Sequence, residues 1–87
     1  MAFSLKLSAA LTAQLWKVKV RDKERLEEPH VSIMFKSKTW RFSIRRRVFL
    51  DKSPDPKDVP REVVTTIEES IDLLVTEWNK QYPENLV

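Results

Sequence analysis

The sequence predicts an α+β domain in which an antiparallel three- to four-stranded sheet packs on one long C-terminal helix. Three observations carry this. Between Trp16 and Ile44, apolar and polar residues alternate with period two, the mark of half-buried strands. Between Val63 and Trp78 the apolar residues recur at helical spacing. An irregular stretch holding Pro54 and Pro56 separates the two patterns. Strands in a run followed by a helix, rather than strands alternating with helices, belong to antiparallel architectures. With 87 residues there is one domain, because so short a chain buries only about 60% of its unfolded surface and has nothing left for a second core.

Residues 1–14 are an N-terminal strand and turn. Phe3-Ser4-Leu5-Lys6-Leu7 alternates as a short strand, and Ser8 to Gln14 suits a helical turn. A three-stranded core does not require the apolar residues of this segment. That makes it a candidate for edge-strand contact with a partner or with a second copy in a homodimer. Residues 16–50 form a basic antiparallel sheet. Trp16, Val18 and Val20 alternate with Lys17, Lys19 and Arg21, and the charged stretch Asp22 to Glu28 then leads to Pro29. In His30 to Phe35, the row Val31, Ile33 and Phe35 alternates with His30, Ser32 and Met34. Lys36-Ser37-Lys38 is the turn into a strand from Thr39 to about Arg45, with Trp40, Phe42 and Ile44 on one face and Arg41, Ser43 and Arg45 on the other. Val48-Phe49-Leu50 either extends that strand past a bend or adds a short fourth one.

Residues 51–58 are a proline-rich connector that ends in a helix start signal, with Asp58 as the N-cap and Pro60 in the first turn. The amphipathic helix follows over 59–81, and 82–87 is a tail. Val63, Ile67, Ile71, Leu74 and Trp78 form the buried stripe, while Glu62, Glu68, Glu69, Asp72 and Glu77 lie mostly outside it. Trp16, Phe35, Trp40, Phe42 and Trp78 each fall on the buried period of their element and are the expected central contacts.

Composition removes several kinds of chemistry. Without cysteine there is no disulfide, thiol nucleophile or Cys-ligated zinc, and the cytoplasm, an infected cytoplasm included, is the expected compartment. A single histidine rules out a two-histidine metal site, and the absence of glycine rules out phosphate-cradling glycine loops; no cofactor is expected. Tight hairpins that need positive φ are also hard to build without glycine. Ser4, Lys6 and Ser8 interrupt the apolar start, so neither a signal sequence nor a membrane span fits.

Charge is segregated along the chain. Residues 1–47 carry twelve Lys/Arg against four Asp/Glu, and residues 48–87 carry four against nine. Such a split steers association with an anionic partner, either an acidic protein surface or a nucleic-acid backbone. The candidate binding residues are Lys17, Lys19 and Arg21 on one strand, Arg41 on another, and the run Arg45, Arg46 and Arg47. Sheet geometry places the two basic rows about 10 Å apart across a nearly neutral strand. Two structural readings compete. Charges on edge strands guard against aggregation, and the arginine run has Glu68, Glu69 or Asp72 of the helix as ion-pair partners. Aromatic stacking residues for single-stranded nucleic acid are absent from the polar face.

His30 follows Glu27-Glu28-Pro29, an arrangement that offers a carboxylate to orient it as a general base. It is the one further functional candidate, and an RNA-cleaving, toxin-like enzyme is the catalytic alternative to a binding protein. Glu28-Pro29-His30-Val31 opening a strand, a short basic turn, an amphipathic helix and Trp78 near its end together resemble the small bacterial proteins of domain-of-unknown-function family 4160. The resemblance covers roughly Trp16 to Tyr82, with His30 and Trp78 as the matched positions. Family members usually carry a second histidine two residues after the first, where this chain has Ser32. Their genes often lie beside a small partner gene in a toxin-antitoxin-like arrangement, so the resemblance implies a protein partner. A phage-type inhibitor of a host complex is another form such a binding protein takes.

Overall fold

A computed structural model of the chain describes residues 3–21 and 26–87, so most of the expected charged loop Asp22 to Glu28 lies outside the described residues. The elements run in the order β1 (Phe3–Ser4), α1 (Ala9–Ala13), β2 (Lys17–Val20), β3 (His30–Phe35), β4 (Lys38–Ser43), a 3₁₀ turn (Pro56–Asp58), α2 (Arg61–Glu69) and α3 (Ile71–Gln81). The strands form one sheet in the order β1-β2-β3-β4, each antiparallel to the next, so the expected meander has four strands. β1 is much shorter than the alternation suggests. After Ser4 the ladder continues only through the Leu5 amide, which donates to the Val18 carbonyl at 2.8 Å. The chain then diverges into α1, where the Ser8 hydroxyl caps the first turn by accepting from the Leu11 amide.

Register explains the two faces of the sheet. Val18 stands opposite Ile33, Ile33 opposite Trp40, and Val31 opposite Phe42, which gathers one apolar row per strand onto the same side. These residues are at most 2% exposed and form a single core with Val63, Ile67, Ile71, Leu74 and Trp78 of the helices. Trp16 stacks on Phe35 at 4.3 Å and on Trp40 at 5.8 Å between ring centres. Burial of about a dozen such side chains, each worth roughly 1.5–3 kcal/mol, is the main term holding the layers together.

The C-terminal half is two helices rather than one. The break falls at Ser70, whose amide takes a short-range bond to the Ile67 carbonyl at 3.0 Å. An unbroken helix over 61–81 would run about 30 Å, whereas six-residue strands span only about 20 Å. Both halves contribute to the core, Val63 and Ile67 from α2 and Ile71, Leu74 and Trp78 from α3. The start of the helix also differs from the expected one. Asp58 does not cap it but lies 3.6 Å from Lys38 Nζ. Asp55 caps the 3₁₀ turn instead, its carboxylate accepting from the Lys57 amide, and Pro60 stands at the cap position of α2.

Nor does the lack of glycine prevent tight turns. Lys36 takes φ 55° in the two-residue β3–β4 loop, Leu15 takes 75° after α1, and Arg47 takes 56° after β4. β4 ends at Ser43, so Arg45 lies in the turn beyond it. The segment 48–50 folds back along β4: the Ser43 amide donates to the Val48 carbonyl, the Leu50 amide donates to the Arg41 carbonyl, and Phe49 bridges to Phe42. That segment covers the β4 edge of the sheet without adding a full strand. Among the described residues no helix is long and apolar enough to cross a membrane.

Candidate anion-docking face

The sheet face opposite the apolar row carries the polar partners of each strand. Its central rung is Ser4, Lys19, Ser32 and Arg41, in register across all four strands. The next rung is Lys17, Met34 and Thr39. Lys19 and Arg41 thus stand about 10 Å apart with Ser32 between them, as strand spacing requires. Ser32 is only 1% exposed, and its Oγ has no hydrogen-bond partner among the described residues.

The seven candidate cations separate into two groups. Arg41 is engaged: its Nε and Nη2 grip the Asp51 carboxylate, Nη2 to Oδ1 at 2.7 Å, and its Nη1 donates to Glu27 at 3.1 Å. Asp51 also accepts from the Arg41 main-chain amide at 3.1 Å. These contacts raise the Arg41 pKa and hold the Asp51 carboxyl below its usual range, the side-chain hydrogen bonds being the larger cause in each case. Arg46 is likewise engaged, donating through Nη2 and Nε to Glu28 at 2.7 and 2.8 Å. With Ser43 Oγ also donating to it at 2.5 Å, Glu28 is lowered to about 2. Arg45 donates to the Leu86 carbonyl at 2.9 Å. The arginine run therefore finds its acceptors in the strand-entry loop and the tail, and no ion pair links it to Glu68, Glu69 or Asp72 among the described residues.

Lys17, Lys19, Arg21 and Arg47 make up the second group, with no ion pair among the described residues. Lys17 and Lys19 project from β2, Arg21 is exposed just past its end, and Arg47 is exposed in the turn after β4. Lys6 joins them, although binding was not expected of it. It follows Ser4 by two residues, just past β1, and lines a cleft of about 420 Å³ together with Ser4, Thr12, Lys17 and Lys19. The signal for Lys6 was present in the Phe3–Leu7 alternation. It becomes meaningful only once β1 is paired beside β2.

His30 is built into the interior. Its ring is 0% exposed, with Nδ1 donating to the Glu28 carbonyl at 2.7 Å, Nε2 3.9 Å from Glu27 Oε1, and its ring centre 5.5 Å from that of Trp78. Glu27 therefore lies between His30 and Arg41, while Glu28 joins Ser43 to Arg46. The sequence does not group these two carboxylates with Asp51, because the Glu27–Glu28 pair and Asp51 lie on two segments that only folding brings together around Arg41 and Arg46.

Comparison with known proteins adds no assignment: no family model matches the chain, and neither the curated proteins nor the solved structures give a match.

Proposed function

We propose that the protein is a small binding protein without catalysis of its own, which docks an anionic partner, an acidic protein surface or a nucleic-acid backbone, through the lysine-bearing side of β2. Lys17 and Lys19 stand at the centre of the contact, with Lys6, Arg21 and Arg47 around it. One observation carries this reading: these cations have no carboxylate partner among the described residues, whereas Arg41 and Arg46 have theirs within 3.2 Å. Cationic groups without a carboxylate partner attract an anionic surface and speed encounter with it. The resemblance to family 4160 favours the same reading, since it implies a protein partner. The catalytic alternative draws less support, because the His30 ring has no exposed surface with which to meet a phosphate.

The test is a titration of labelled polyglutamate and a labelled oligonucleotide at low and high salt against the wild type and Lys17→Glu with Lys19→Glu. Arg41 is left intact, since replacing it would strip Asp51 of its partner and disturb the fold. The expected result is a loss of about tenfold or more in affinity for at least one probe, together with a salt dependence that the variant lacks. Equal binding by wild type and variant would falsify the proposal.

A further inference from the structure

The docking face runs up to a strand edge that no described residue covers, and together they narrow the class of partner. β1 meets the sheet on one side only, with Phe3 opposite Val20 and the Leu5 amide donating to Val18. Main-chain groups alternate in direction along a strand, so the amide and carbonyl of Ser4 face away from β2, and Lys6 follows just past the last ladder bond, the one made by the Leu5 amide. No main-chain hydrogen bond reaches them among the described residues. The far edge of the sheet differs, being covered by residues 48–50.

We infer that an acidic peptide segment adds here in extended form as a further strand outside β1, its main chain paired with Ser4 and Lys6 and its carboxylates facing Lys6, Lys17 and Lys19. This rests on the docking proposal above, whose lysines it shares, and adds main-chain recognition to it. The edge presents both donors and acceptors, which complements a peptide main chain, whereas a phosphate backbone supplies acceptors alone. Lys19 stands opposite Ser4, so nothing larger than a serine separates its ammonium from the edge. Side chains two apart on one strand face are about 6.7 Å apart, the same interval in an alternating acidic strand as in the Lys17–Lys19 row. A second copy of this chain is disfavoured at the site, since antiparallel pairing of two such edges brings lysine towards lysine.

The experiment is a fluorescence-anisotropy titration of a labelled peptide alternating glutamate and valine against the full chain and three variants. Lys17→Glu with Lys19→Glu removes the face. Lys6→Ala removes the edge charge but keeps its amide, and Lys6→Pro removes both without breaking a bond that holds β1. The expected result is that the charge reversal weakens binding by about tenfold or more, and that Lys6→Pro weakens it by about tenfold beyond Lys6→Ala. The same peptide N-methylated at alternate residues should bind at least about tenfold more weakly than its parent, which preserves the comparison if circular dichroism shows the proline variant unfolded. Equal affinities for Lys6→Ala and a folded Lys6→Pro, or for the methylated and parent peptides, would overturn strand addition while leaving the docking proposal intact. An ineffective charge reversal would overturn both. Tighter binding of a single-stranded oligonucleotide than of the peptide would overturn the choice of partner. So would a dimer in sedimentation that Lys6→Pro abolishes, since it would assign the edge to a second copy.

Discussion

Leu15 shows how a residue type and its conformation can disagree. It occupies the position after the α1 cap with φ 75°, where the Trp16 amide bonds to the Leu11 carbonyl and the Leu15 amide to the Thr12 carbonyl, the pattern that usually ends on glycine. Its side chain is 62% exposed and contributes little packing. Leu15→Gly is therefore expected to raise stability by about 0.5–1 kcal/mol, read from the denaturant midpoint, by relieving the Cβ clash of the left-handed conformation. Glu28 lies at the other extreme, in a conformation whose value is electrostatic. Arg46 and Ser43 lower its pKa from 4.5 to about 2, so the stabilisation is present in full above 4.5 and is lost as pH falls towards 2. Glu28→Gln is expected to flatten that acid limb while leaving the slope contributed by Asp51. Denaturation followed from neutral pH to pH 2 checks it.

At the scale of elements, polar groups decide how the irregular pieces attach. The connector between β4 and α2 has no ladder of its own, yet the Trp40 indole donates to the Pro54 and Asp55 carbonyls at 3.1 and 3.2 Å from the centre of the core. Trp40→Phe keeps an aromatic ring in place but removes that donor. The expected cost is about 1–3 kcal/mol, with faster amide exchange at Lys57 and Asp58 as the sign that the connector has loosened. The tail is tied in the same manner. Trp78 Nε1 donates to the Asn85 carbonyl at 2.7 Å, Asn85 Nδ2 to the Glu27 carbonyl at 2.6 Å, and the Tyr82 hydroxyl to the Arg21 carbonyl. These bonds hold the end of α3 against the loop that leads into β3, the same loop that supplies Glu27 and Glu28 to the arginines.

At the scale of the molecule, segregated charge becomes a difference between two sides. The helices bury one face of the sheet and carry their acids outward, while Lys17 and Lys19 stand on the other face. Reversing those two lysines is expected to leave thermal stability within about 0.5 kcal/mol, as for surface changes that touch no partner, while association slows and loses its salt dependence in stopped-flow mixing. Alternation in Trp16–Ile44 and the stripe from Val63 to Trp78 were enough to specify a meander, a helical layer and a core containing Trp16, Trp40 and Trp78, because both periods are properties of the local backbone. The break at Ser70 was not legible, since no proline or glycine marks it. The division of the cations was not legible either. Arg41 and Arg46 look like Lys17 and Lys19 in the sequence, and only contacts between residues distant in the chain give the arginines their carboxylates and, among the described residues, leave the lysines without one. Sequence by itself thus determined which residues face inward and where positive charge collects. The tertiary structure decided which of those charges find a carboxylate and which strand edge is covered among the described residues, because ion pairing and edge coverage depend on long-range contacts that no local period encodes.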